Sequence, residues 1–187
     1  NLKYAVDGNR RLDGLIVFDP PMVPAKGHRL HEKMLYEESI LWRWAEKRPD
    51  GFADPAEQVA MFKKARMLSK WVEGAYELMA QSILRHDART DKWNLVCSGA
   101  REAGIYRQNA ELNFWPQAAA FPMPFLTIAS DTDSDIPSAP GYACRALRDD
   151  CDWPYECMEG TGHFMQIQEP ENCAAITRRF AGEIGLI

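Results

Sequence analysis

Two short apolar runs constrain this chain most: the continuous Leu15-Ile16-Val17-Phe18, and the partly β-branched Phe125-Leu126-Thr127-Ile128-Ala129 after Pro124. A strand with one wet face alternates apolar and polar residues, whereas a run that is apolar throughout suits a strand covered on both faces of a parallel sheet. Asp19-Pro20-Pro21 closes the first run and the polar stretch 130–135 closes the second. A third strand is expected at 153–158, ended by Gly160-Thr161-Gly162. Helical periodicity fills the intervals. One helix follows Pro140 through Ala143 and Leu147, another runs from Pro170 to Ile184 through Cys173, Ile176 and Phe180, and residues 1–11 read as part of an amphipathic helix. Strands alternating with helices define an α/β chain with a parallel sheet and right-handed crossovers.

The interval between the first two strands has its own character. Leu30, Met34, Leu41, Trp42 and Ala45 form an apolar stripe that Pro49-Asp50-Gly51 stops. Asp54-Pro55 with Glu57 reads as a helix start, with Asp54 as N-cap and Pro55 at the first helical position. Val72, Ala75, Tyr76, Met79 and Ile83 signal a third helix. The segment therefore reads as entirely α-helical. The expected organisation is core α/β over 1–24, a helical cap over 25–115, and core α/β over 116–187.

Composition narrows the function classes. The chain has 187 residues and a net charge of −5, which argues against a nucleic-acid binder of the basic-patch kind. Charge is uneven: residues 25–110 hold 15 Lys/Arg against 12 Asp/Glu, and residues 111–187 hold 4 against 12. No apolar run approaches the roughly 18 residues of a membrane-spanning helix. The five cysteines, Cys97, Cys144, Cys151, Cys157 and Cys173, lack zinc-ligand spacing and read as reduced, mostly buried thiols, which points to an intracellular protein.

The residues that carry chemistry cluster at the strand ends. Gly160-Thr161-Gly162-His163-Phe164 places an imidazole on a tight loop just after a strand, where ligands of open α/β sheets bind and where histidine can serve as a general base. Such a base needs a carboxylate to fix its tautomer and to stabilise the imidazolium. Asp19, at the end of the first strand, and Asp133, in Ser130-Asp131-Thr132-Asp133-Ser134-Asp135 after the second, are both candidates. Asp131 and Asp135 are less well placed. That loop lacks the glycine and closing glutamate of an EF-hand.

The pattern of strand-Asp19-Pro20, helical insert, strand and Asp133 loop, helix, strand, Gly162-His163-Phe164, then a helix opening with Glu169-Pro170-Glu171 resembles the carboxyl-terminal half of the α/β-hydrolase superfamily. The resemblance covers nearly the whole chain. The insert, with Arg43, Arg48, Trp71 and the stretch from Leu95 to Tyr106, is similar to the cap of fungal secondary-metabolism hydrolases, some of them peroxisomal acyl-CoA hydrolases. The resemblance implies a Ser-Asp-His triad with His163 as base. Most of the superfamily takes its acid from the position of Asp133, whereas the fungal group takes it from the position of Asp19, and both stay open.

One departure is informative. The G-x-S-x-G elbow that presents the nucleophile occurs nowhere in the 187 residues. Ser98, in Cys97-Ser98-Gly99-Ala100, lacks the preceding glycine and falls in the insert. The expectation is thus the carboxyl-terminal portion of a serine hydrolase cleaving an ester or thioester, with acyl-CoA as one substrate class. It would be active only with an amino-terminal segment that carries the serine and the oxyanion hole. The basic residues Lys63, Lys64, Arg66 and Lys70 suit the phosphates of a CoA ester. The expected partners are that segment, a small apolar substrate and a possible second copy of the chain; no cofactor or metal is indicated. The resemblance implies a cytoplasmic or peroxisomal setting.

Two other readings use the same residues. One is a noncatalytic module holding a small apolar ligand among Met34, Trp42, Trp44, Met61, Met67, Trp71 and Met79. The other is a different α/β-hydrolase chemistry, an epoxide hydrolase, dehalogenase or hydroxynitrile lyase.

Overall fold

A computed structural model describes residues 2–7 and 12–187. It divides into two compact units, residues 1–34 with 113–187, and Leu35–Leu112.

The first unit is built on a parallel sheet. Strand β1 (Leu15–Phe18) pairs with β5 (Phe125–Ser130), which pairs on its other side with β6 (Tyr155–Met158). Register runs from Leu15 opposite Phe125 to Phe18 opposite Ile128, and from Thr127 opposite Tyr155 to Ser130 opposite Met158. All six residues of β5 are buried, as a run without alternation requires of a central strand. The four residues of β1 are only half-buried, although its sequence is equally apolar. The difference is positional: among the described residues β1 has a neighbour on one edge only.

Successive β5 side chains point to opposite faces and nucleate two cores. On one face Phe125 packs with Leu147, Cys151, Trp153, Phe121 and Met123, joined by Ala5 of the short helix α1 (Leu2–Val6). Trp153 meets Phe121 and Phe125 edge-on, and its indole N–H donates to the Pro116 carbonyl at 2.8 Å. On the other face Leu126 and Ile128 pack with Met158, Met165, Cys173 and Phe180. Helices α7 (Met165–Gln168) and α8 (Pro170–Glu183) cover this second face, and α6 (Ala139–Cys151) covers the first. The result is a three-layer α/β/α arrangement. Of the helix expected over 1–11, residues 2–6 are helical, and residues 1 and 8–11 lie outside the described residues.

Residues 25–34 cluster with the sheet unit for visible reasons. The His28 ring and the Arg29 guanidinium both reach Asp150, at 3.0 Å, His31 Nδ1 bonds the Pro24 carbonyl at 2.8 Å, and the Lys33 ammonium sits 3.6 Å from the centre of the Tyr142 ring.

The second unit contains most of α2 (His31–Lys47), then α3 (Pro55–Lys64), α4 (Ala75–Ile83) and α5 (Gly99–Glu111). α3 starts with a complete capping box. Asp54 Oδ1 accepts the Ala56 N–H at 2.7 Å, and Glu57 Oε1 accepts the Asp54 N–H at 3.3 Å. α4 starts later than the periodicity suggests, because Gly74 at φ 79° breaks the helical path ahead of it.

The entirely helical reading of this segment does not hold. The strands β2 (Gly51–Phe52), β3 (Leu84–Asp87) and β4 (Lys92–Leu95) form an antiparallel sheet in the order β2-β4-β3. The β3–β4 hairpin is made by its turn: Asp87 accepts the Arg89 N–H at 3.0 Å, and Asp91 takes a left-handed φ of 53°. Only Trp93 and Leu95, alternating with Lys92 and Asn94 in β4, show a period of two, over too short a stretch to announce a strand. Leu84 and Phe52 bury against Ala80, with Trp93, Leu95 and Phe62 around them.

Candidate active site

The carboxyl end of β1 and the loop after β6 bring Asp19 and His163 together. Asp19 Oδ2 lies 2.9 Å from His163 Nδ1 across 144 residues of sequence. Parallel pairing explains the meeting. β1 and β6 flank β5 and point the same way, so residues just past their ends emerge on the same edge of the sheet.

Asp19 has no exposed surface. Its backbone N–H continues the ladder to Ile128 O at 2.7 Å, and a left-handed φ of 47° then turns the chain into Pro20. A buried carboxylate is tolerable only when its lone pairs are filled. Oδ1 accepts the Ser130 N–H at 3.0 Å and lies 3.1 Å from Ser130 Oγ, while Oδ2 accepts the Ser138 hydroxyl at 2.9 Å in addition to the imidazole. Ser138 is the N-cap of α6, so the negative charge also sits at the end of a helix where the macrodipole favours it. Cys144 Sγ stands 3.9 Å from Oδ1, and burial together with the Asp19 charge pushes this thiol well above its ordinary range.

The His163 loop is fixed from several directions. Gly160 adopts φ 71°, and its N–H donates to Asp131 Oδ2 at 2.9 Å. The Thr161 hydroxyl returns to the Met158 carbonyl at 2.7 Å, and the Asp131 N–H donates to Thr161 O at 3.1 Å. Gln168, buried on α7, accepts the Gly162 N–H at 2.8 Å. Gly162 is demanded by close approach: a Cβ there would stand 2.8 Å from Ile136 Cδ1 and 3.0 Å from the Ile136 carbonyl. The imidazole keeps 28% of its side-chain surface exposed. With Nδ1 donating to a carboxylate, Nε2 is the nitrogen left to accept a proton.

Asp133 is not brought to His163. Its carboxylate is 84% exposed and stands 3.5 Å from Arg145, while its N–H caps the turn at Asp131 Oδ1 at 2.8 Å. Ser98 is the N-cap of α5, its hydroxyl accepting the Arg101 N–H at 3.4 Å. Sequence reasoning missed Ser130 and Ser138 as partners of Asp19, and it weighed Asp131 only as a less well placed acid rather than as an anchor of the His163 loop. Ser138 carried a legible signal, a serine directly before Ala139-Pro140 at a helix start. Among the described residues no group of three or more His, Cys, Asp or Glu side chains is disposed to hold a metal ion, and no helix is long and apolar enough to cross a membrane.

No protein-family model matches the chain, and no curated protein matches it. Solved structures do. An E-2-(acetamidomethylene)succinate hydrolase matches with a TM-score of 0.67 and 16% identity, over 95% of this chain and 60% of its own. The peroxisomal alpha-beta-hydrolase Lpx1 of Saccharomyces cerevisiae gives 0.55 and 11%, over 96% and 47%. A thioesterase domain from the curacin biosynthetic pathway gives 0.57 and 13%, over 93% and 58%. The chain therefore has the α/β-hydrolase fold, and it spans about half to three-fifths of the length of these three structures.

Proposed function

We propose that the chain is the carboxyl-terminal part of a serine-type α/β-hydrolase that cleaves an ester or thioester of a small, largely apolar compound. Asp19 is its acid and His163 its base. The observation that carries this reading is the 2.9 Å contact between a fully buried carboxylate and the Nδ1 of a partly exposed imidazole at the carboxyl edge of a parallel sheet. A structural histidine needs no buried anion behind it, whereas a general base does: the carboxylate selects the Nδ1–H tautomer and stabilises the cation formed when Nε2 takes a proton.

The chemistry follows from that polarity. A serine on a preceding segment of the full-length protein attacks the substrate carbonyl, and its proton passes to His163 Nε2 while Asp19 holds the imidazolium at Nδ1. Collapse of the tetrahedral intermediate breaks the bond to the alcohol or thiol, which leaves with the Nε2 proton. Water then repeats the two steps on the acyl-serine. The same preceding segment is proposed to pair with the outer edge of β1, which has no neighbour among the described residues; association with a second copy of the chain is the alternative cover for that edge. Lys63 and Lys64, near the carboxyl end of α3, suit the phosphates of a CoA thioester, with Lys63 also bonded to Glu77 at 2.8 Å. The free thiols and the likeness to a peroxisomal hydrolase support a setting inside the cell, cytoplasmic or peroxisomal.

The test is turnover of p-nitrophenyl esters and short acyl-CoA thioesters by the full-length protein. His163→Ala should lower kcat by about 10⁶ on the substrate that the wild type cleaves. Full turnover by H163A, or binding without turnover by the wild type, contradicts the hydrolase reading.

A further inference from the structure

Ser138 caps α6, but capping uses only one lone pair of its hydroxyl. Oγ accepts the Gly141 N–H at 3.1 Å, lies 2.7 Å from Ser130 Oγ, and donates to Asp19 Oδ2 at 2.9 Å. Both serines are buried, Ser130 fully and Ser138 at 4% exposure. The pocket they share is kept open by the absence of a side chain: a Cβ on Gly141 would stand 2.5 Å from Ser130 Oγ.

Counting protons orders the contacts. Ser130, Ser138 and an ionised Asp19 make three oxygen–oxygen contacts with only two hydroxyl protons among them. The Ser138 proton goes to Asp19 Oδ2, the carboxylate oxygen with no backbone donor. The Ser130 proton lies within reach of both Asp19 Oδ1 at 3.1 Å and Ser138 Oγ at 2.7 Å and is shared between them. Ser138 thereby accepts from Gly141 and Ser130 and donates to Asp19. Each bond in the chain Ser130 to Ser138 to Asp19 polarises the next.

We propose that Ser138, fed by Ser130, is the positioning residue of the acid–base pair. It fills the second site on Oδ2, so that the carboxylate cannot turn away from His163 Nδ1. This rests on the reading of Asp19 and His163 as acid and base. Oδ2 is the shared point, receiving the Ser138 hydroxyl and the imidazole N–H at the same 2.9 Å. Loss of the hydroxyl leaves the imidazole as the only donor to that oxygen, and the Nδ1 proton loses its fixed acceptor.

The experiment is ¹⁵N and ¹H NMR of the His163 ring in wild type, Ser138→Ala, Ser138→Thr and Ser130→Ala. The wild type should show the Nδ1-protonated tautomer with a slowly exchanging Nδ1 proton. S138A should speed that exchange at least about tenfold, the worth of one charge-assisted hydrogen bond. S138T, which keeps the hydroxyl, should return it to the wild-type value. S130A leaves the cap of α6 in place and should speed exchange by a smaller factor, so the proposal stays testable if S138A fails to fold. In the full-length protein S138A should lower kcat with KM unchanged, a split that loss of a helix cap alone does not produce. A wild type without the Nδ1-protonated tautomer overturns the acid–base reading itself. A wild type with that tautomer, and variants whose exchange is unmoved, overturns only the role of Ser138 and Ser130.

Discussion

Asp19 combines complete burial with a full set of donors, and that combination extends its influence to a neighbour that does no chemistry. Cys144 is raised first by burial and then by the adjacent carboxylate, so its thiolate, the reactive form, is scarce at neutral pH. Iodoacetamide at pH 8 followed by peptide mass mapping should label the exposed Cys157 and leave Cys144 unmodified until the protein is denatured; labelling of native Cys144 as fast as Cys157 contradicts the buried carboxylate beside it. The histidine was legible in the sequence because two glycines and a strand end frame it. The choice between Asp19 and Asp133 was not, because it depends on which strands are neighbours and on which loop turns inward. Asp133 follows an equally good strand, yet its loop folds back on Asp131 and leaves the carboxylate in water. Ser130 and Ser138 reach Asp19 through contacts across more than a hundred positions, which no local pattern records, although a serine before Ala139-Pro140 does mark the cap.

Elements follow local rules where local bonds dominate. α3 begins where Asp54, Pro55 and Glu57 say it should, and both halves of the capping box form. Asp54→Ala removes the acceptor for the Ala56 N–H and should cost about 1 kcal/mol, read as a lower urea midpoint with an unchanged slope; an unchanged midpoint contradicts the cap. β5 and α6 were equally plain, one from a nearly continuous apolar run and the other from Pro140 with Ala143 and Leu147 at helical spacing. The β2-β4-β3 sheet was hidden because its strands are only two to four residues long. Cross-strand pairs such as His86 with Trp93, whose rings lie 5.2 Å apart, supply what an apolar alternation would otherwise announce. β1 reads as a fully covered strand and is half-buried, since sequence reports what a strand is suited to rather than which neighbours it has.

At the scale of the whole molecule, an α/β unit carries the Asp19–His163 pair, and a second unit of helices with a small sheet is inserted in the chain between β1 and β5. The fold is that of α/β-hydrolases, and function in such folds resides in the site rather than the scaffold. The central claim is therefore that Asp19, and not Asp133, works with His163. The most direct measurement compares kcat/KM of Asp19→Asn and Asp133→Asn in the full-length protein on one ester substrate. Asp19→Asn keeps the shape but cannot hold the Nδ1–H tautomer, and the loss should be about 10⁴-fold. Asp133→Asn removes only an exposed partner of Arg145 and should stay near wild type. A large loss in D133N together with near-normal turnover in D19N would contradict the assignment.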